Sequence, residues 1–176
     1  IIMFEPQFKI YNFIKKKYRK NKKIKIYNLA VSYQKKLLNL NLSHHDLTSS
    51  LSGFNKNNFY LRVKSTLFGV KNMTYKKIKI KTTTLEYILK KNLINYVDVL
   101  KIDTEGHELY VLKGLKKKIH EVRYVLIEFH NDKIYSKYNP KNIHKFLTKN
   151  NFILEAKFKF PFTTWEDRVY FNKNAN

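Results

Sequence analysis

The chain has 176 residues, 43% of them hydrophobic, with no cysteine and a formal charge of +23. That length and apolar content suffice for one domain with its own core. They exclude a disulfide framework and thiolate chemistry, and no apolar run approaches the ~18 residues of a membrane-spanning helix.

Residues 1 to 4 read as a buried strand that ends at Glu5, and Pro6 then starts a helix, where its missing N–H does no harm. Ile10, Phe13, Ile14 and Tyr18 form the apolar stripe of that helix. Residues 24 to 31 read as the next strand, and residues 36 to 42 as a weaker β segment. Residues 43 to 53 form a polar loop containing His44, His45 and Asp46. The spacing of this triplet matches no metal-ligand pattern, and adjacent residues on a strand point to opposite faces, so no metal site is expected. The long stretch to Met73 reads as a lid or substrate loop. Residues 77 to 82 alternate strictly and predict a half-exposed strand. Thr83, Thr84, Leu85 and Glu86 open a short helix with Leu85, Ile88 and Leu89 on its apolar side.

Residues 97 to 102 are apolar and rich in β-branched side chains, as in a strand covered on both faces. Thr104 is placed to cap a helix whose stripe is Leu109, Leu112, Leu115 and Ile119. Residues 122 to 132 predict another buried strand that turns polar at its end, where Glu128, His130 and Asp132 alternate and share a face. Pro140 starts a helix with Ile143, Phe146 and Leu147. Residues 152 to 160 and 168 to 171 predict an antiparallel hairpin at the sheet edge, with Trp165 in its connection. Neither an internal repeat nor a domain boundary is visible, so residues 1–176 are taken as a single domain.

The acids are scarce and clustered: of 13, seven fall between Asp98 and Asp132. In an open α/β sheet, ligands bind outside the carboxyl ends of the strands. Asp103 and Glu105 lie at such an end, as do Glu128 and His130. The plainer reading of the first pair is that both favour the positive end of the following helix. A carboxylate ending the second strand of a nucleotide-binding unit hydrogen-bonds a ribose diol, which is the role read for Glu5. The charge itself is less informative. Arg19, Arg62, Arg123 and Arg168 are the only arginines among 36 basic residues, and specific readers of phosphates and bases favour arginine for its planar fork. A surplus of Lys, Asn, Ile, Tyr and Phe is what an A/T-rich genome encodes. Selected binding of a polyanion is the second explanation.

In chain order, the strand ending Glu5-Pro6, the segment Asn28-Leu29-Ala30-Val31, the run Thr82-Thr83-Thr84-Leu85-Glu86, the block Leu100-Lys101-Ile102-Asp103-Thr104-Glu105-Gly106-His107-Glu108-Leu109-Tyr110-Val111-Leu112-Lys113-Gly114 and the strand end Leu126-Ile127-Glu128-Phe129-His130 resemble the FkbM-type methyltransferases. The resemblance covers Phe4 to about His130. It implies an α/β fold of the class I Rossmann-like methyltransferase type, mostly parallel with an antiparallel final strand. It also implies S-adenosylmethionine as cofactor and O-methylation of a hydroxyl on a sugar, a glycan or another metabolite.

On the matching positions, Glu5 would hold the cofactor's ribose, Ala30 and Val31 would flank its adenine, and Asp103 would serve both cofactor and reaction. Asp103 and Glu105 would line the reaction pocket, and His130 or Glu128 would orient the acceptor or take its proton. His107, beside a helix start, is a weaker candidate for that proton, because a cationic imidazole is disfavoured there.

One feature departs from the family. Its opening strand and glycine-rich loop are absent, since Gly53, Gly69, Gly106 and Gly114 are the only glycines. That strand belongs between those ending at Glu5 and Asp103, so an open seam is expected, together with a missing upstream strand–helix unit of about 30 residues. The alternatives are an RNA methyltransferase or basic nucleic-acid-binding protein, and a non-catalytic remnant of the fold. A cytoplasmic location is expected, because the lack of thiols fits a reducing compartment; a small-molecule or glycan acceptor is the expected partner.

Overall fold

A computed structural model describes residues 1–43, 49–55, 58, 74–131, 133–136, 138–159, 161 and 163–174. His44, His45, Asp46 and Asp132, and most of the segment expected to form a lid, lie outside the described residues. The strands are β1 (Ile2–Phe4), β2 (Lys25–Tyr27), β3 (Ala30–Val31), β4 (Leu37–Ser43), β5 (Thr74–Thr83), β6 (Val97–Ile102), β7 (Val122–His130), β8 (Phe152–Lys159) and β9 (Trp165–Asn172). The helices are α1 (Phe8–Lys17), α2 (Leu85–Lys91), α3 (Glu108–Lys113) and α4 (Pro140–Lys149), with a 3₁₀ helix at Lys116–Glu121.

Three sheets result. β1 and β2 pair in parallel, β3 and β4 flank β5, and the largest sheet has the order β6-β7-β9-β8. Within it β6 and β7 are parallel, with Ile102 opposite Ile127. β9 runs antiparallel to both β7 and β8. The parallel pair brings the ends of β6 and β7 side by side. The core lies between this sheet and its helices, built on Leu112, Leu115, Ile119, Val125, Ile127, Phe129, Leu147 and Tyr170. Thr84 caps α2 through the Tyr87 N–H, and Asn139 caps α4 through the Lys141 N–H. Proline stands in the first turn of α4.

Four expectations change. The segment 24–31 is two short strands, not one; β2 pairs with β1 and β3 with β5. The helix after Glu5 begins at Phe8, and Phe13 is 67% exposed, because no residue of α1 is buried. Trp165 is the first residue of β9 and sits opposite His130. Finally, β6 is not covered throughout: Asp98, Val99 and Lys101 are exposed. It is an edge strand of its sheet, so a side that a neighbour would cover is open. β1 and β6 do not pair with each other, and Ile2, Phe4, Leu85, Val97 and Leu100 line an apolar groove of ≈ 410 Å³ between them.

The stripe Leu109, Leu112, Leu115 and Ile119 is helical but interrupted. α3 stops at Lys113, and Lys116, the first residue of the 3₁₀ helix, takes φ 49°. Gly114 permits this packing, because a Cβ there would collide with the carbonyl oxygen of Ser32. Its own φ of −70° suits any residue, so the requirement is space alone. Replacing Gly114 by Ala is expected to cost about 1–3 kcal/mol by overpacking. Urea unfolding checks this, with the exposed neighbour Lys113→Ala unchanged within error.

Candidate active site

The corner between β6 and α3 is built around a buried carboxylate. Glu108 has no exposed surface. Its Oε1 accepts the Thr104 N–H at 3.1 Å, the Thr104 hydroxyl at 3.1 Å and the Gly106 N–H at 2.9 Å. Burial pushes its pKa up, and these donors pull it back. Thr104 was expected to cap the helix. Instead its hydroxyl donates to Glu108, and α3 starts only after His107, which makes no side-chain cap. Neither Asp103 nor Glu105 is spent on the helix end. The Asp103 carboxylate pairs with Lys101 at 3.2 Å. Glu105 takes φ 53° and is followed by Gly106 at φ 91°. A non-glycine residue in the left-handed region is strained, and such strain collects at functional sites. From the far side, the Ser50 hydroxyl donates to the Glu105 carbonyl and the Ser52 hydroxyl to that of Gly106 at 2.7 Å.

The Glu105 side chain turns toward the end of β7. The Tyr135 hydroxyl donates to its carboxylate, and the ring of His130 stands edge-on to Tyr135 at 4.9 Å. His130 Nε2 lies 3.8 Å from Glu105 Oε2 and 3.4 Å from Glu128 Oε1. Burial pushes the Glu128 carboxyl up to about 8, helped by the neighbouring charges of Asp103, Glu105 and Asp167. The Tyr138 hydroxyl accepts the backbone N–H of His130 at 3.0 Å. An open cleft then extends past His130, Tyr135, Tyr138, Lys133 and Lys141.

On the other side of the corner is a cavity of ≈ 290 Å³ lined by Glu5, Ala30, Val31, Asp103 and Glu105, with Ile10, Leu29, Leu40 and Leu51 as apolar walls. Glu5 accepts the Gln7 N–H at 2.7 Å, and burial raises its pKa. Asn28 fixes the corner beneath it by donating to the carbonyls of Glu5 at 2.9 Å and Pro6 at 3.1 Å. The structure therefore gathers Glu5, Ala30, Val31, Asp103 and Glu105 around one cavity, with Glu128 and His130 behind Glu105.

His107 is elsewhere. It is buried, with Nε2 3.0 Å from the Ser32 hydroxyl, and it stacks on Tyr110. Its pKa falls to about 4 through burial and then the charge of Lys36, not through the helix end. Tyr135, Tyr138, Ser50, Ser52 and the role of Glu108 carried no signal in the sequence. Only Glu108 stood in a recognisable motif.

A parallel strand pair with acids at its carboxyl ends, completed by an antiparallel hairpin and flanked by helices, is an α/β arrangement of Rossmann-like type. The family model of the methyltransferase FkbM domain matches residues 1–154. The chain belongs to the FkbM methyltransferase family. The hexuronic acid methyltransferase AglP of Haloferax volcanii is 33% identical over 70 residues, which cover 40% of this chain and 27% of that protein. The crystal structure of methyltransferase FkbM from Methylobacillus flagellatus superposes with a TM-score of 0.53 at 14% identity, covering 97% of this chain and 36% of that one. The matched parts thus span 27% and 36% of the length of these two relatives.

Glu108 holds together the corner that carries Asp103 and Glu105. Glu108→Ala is expected to cost about 3 kcal/mol, because three buried or half-buried donors lose a charged acceptor. Urea denaturation checks this, and Glu108→Gln, which keeps one oxygen in place, should lose less than half as much.

Proposed function

We propose that this chain carries the adenosine-binding and acceptor-binding parts of an S-adenosylmethionine-dependent O-methyltransferase acting on a hydroxyl of a sugar or glycan. One observation carries the reading. Glu105 lines the cavity that holds Glu5, Ala30 and Val31, and its carboxylate also lies 3.8 Å from His130 at the head of the cleft. Donor and acceptor compartments would meet at that one side chain.

The residues present suit the cofactor. Glu5 offers a carboxylate to a ribose diol at the rim of a cavity with apolar walls of a kind that flank a purine. When bound, the cofactor supplies an electrophilic methyl group on a sulfonium, which is its own leaving group. What the protein must add is alignment of the acceptor oxygen and removal of its proton. Asp103 and Glu105 mark the place of alignment, and the cluster of Glu105, Glu128 and His130 handles the proton. Tyr135 and Tyr138 offer ring faces and hydroxyls to a sugar. Lys133 and Lys141, at the same cleft, would favour an acidic one, which agrees with the hexuronic acid in the name of the archaeal relative. The groove between β1 and β6 supports a complete catalytic unit in which one more parallel strand lies there, contributing the glycine-rich loop.

The test is calorimetric titration of S-adenosylmethionine into the chain preceded by a glycine-rich strand–loop unit, followed by an acceptor screen. Glu5→Ala is expected to weaken cofactor binding about 10- to 100-fold, the worth of hydrogen bonds to a charged group. His130→Ala should lower kcat by about 10²–10⁴, the usual contribution of a positioned acid–base group, with cofactor affinity unchanged. Wild-type turnover in both His130→Ala and Asp103→Ala would remove the assignment.

A further inference from the structure

We propose that Glu105, Glu128 and His130 form a binding site for one divalent cation at the carboxyl ends of β6 and β7. The sequence did not show the site as a set, because Glu105 lies more than twenty residues before Glu128 and His130 and meets them only through the parallel pairing of the two strands.

The geometry is the first argument. One ligand atom from each of the three residues lies within 4.8 Å of the other two. His130 Nε2 is 3.4 Å from one carboxylate and 3.8 Å from the other. Donors bound at about 2.1 Å to one ion lie roughly 3–3.5 Å apart, so a small closing movement completes the set. The donors are also held without an ion. Glu128 and His130 alternate on β7 and share its face. Glu105 is fixed by its left-handed backbone, by the two serine hydroxyls on its peptide carbonyl and the next, and by Tyr135 on its carboxylate.

Charge is the second and independent argument. Asp167 sits directly opposite Glu128 in the β7–β9 ladder, and like charges in that relation destabilise a sheet. Among the described residues its Oδ1 is buried without a hydrogen-bond partner. Asp103, Glu105 and Asp167 all act on Glu128, and Lys101 is the one cation among its main influences. Lys101 is itself drawn to Asp103. Among the described residues, a protein with a formal charge of +23 thus brings Asp103, Glu105 and Asp167 to bear on Glu128, with Lys101 the one cation among the main influences on it. A divalent cation would add positive charge at that place.

One imidazole and two carboxylates suit a cation that accepts both nitrogen and oxygen, such as Mn²⁺ or Zn²⁺, with open positions left toward the cleft. The site's role rests on the methyl-transfer reading above; its existence does not. A hydroxyl entering from the cleft and coordinated there would lose its proton more readily, and the proton would pass to a non-coordinating carboxylate oxygen of Glu105 or Glu128. The oxygen would then bond to the methyl carbon as the carbon–sulfur bond breaks toward sulfur.

The experiment is titration of Mn²⁺ into the chelator-stripped protein, read by loss of the free-ion electron paramagnetic resonance signal, without cofactor or acceptor. One Mn²⁺ per chain is expected, weakened at least tenfold by Glu105→Gln and by His130→Gln, while Asp98→Asn, on the exposed part of β6, binds as wild type. No stoichiometric binding, or binding unchanged by both substitutions, overturns the proposal. Should a substituted protein fail to fold, Co²⁺ added to the wild type decides. Paramagnetically shifted ring protons of His130 support the site, and unshifted ones overturn it. A protein that binds Mn²⁺ but transfers no methyl group would remove the methyl-transfer reading and leave the site standing.

Discussion

The corner between β6 and α3 depends on one buried carboxylate. Glu108 gathers the Thr104 hydroxyl and the N–H groups of Thr104 and Gly106 onto a single oxygen. Burying a charge is costly unless it is fully hydrogen-bonded. The peptide groups of the corner and the Thr104 hydroxyl offset part of that cost, all on Oε1; among the described residues Oε2 is buried without a hydrogen-bond partner. The chain therefore leaves β6, turns through two left-handed residues and enters α3 along one fixed path. Because Glu108 satisfies the corner from within, Asp103 and Glu105 are released from helix capping and present their carboxylates outward. The same economy explains why α3 starts late and is short.

The corner then acts as a partition. On one side is a cavity walled by aliphatic side chains, with Glu5 on its rim. On the other is a cleft with tyrosines and lysines. Glu105 belongs to both, and its unusual backbone is what lets a residue in a tight turn reach toward β7. Serine hydroxyls from residues 50 and 52 brace the turn from outside, so a segment distant in sequence holds the corner in place. Site precision is thus achieved by three separate stretches of chain, none of which forms it alone.

The electrostatics run against the rest of the molecule. Its formal charge is +23, yet the ends of β6 and β7 carry Asp103, Glu105, Glu128 and, across the ladder, Asp167. Burial and these neighbouring charges raise the affinity of Glu128 for positive charge. The high pKa of Glu128 is one expression of that field. A sulfonium cofactor and a metal ion are both cations, and a pocket of this sign suits either. The lysines at the cleft mouth act in the opposite sense and suit an acidic acceptor.

The sequence by itself determined the local elements whose cause is local. Alternation in residues 77 to 82 marked β5, and Thr84 and Pro140 marked two helix starts. The run of β-branched residues marked β6, and the motif around Asp103 to Gly114 marked the family. It also determined which acids stand at strand ends, since a strand's end is readable from where its apolar run stops. What it did not contain was distance. That Glu105 and His130 approach within 3.8 Å follows from parallel pairing of β6 with β7. That Asp167 faces Glu128 follows from the register of β9, and that His107 is buried against Ser32 follows from packing around Gly114. The exposure of β6, which its composition contradicted, reflects a neighbour relation rather than any residue. Periodicity and capping act over a few residues and are written along the chain. Register, partition and field arise between segments tens of residues apart, and only the tertiary structure decides them.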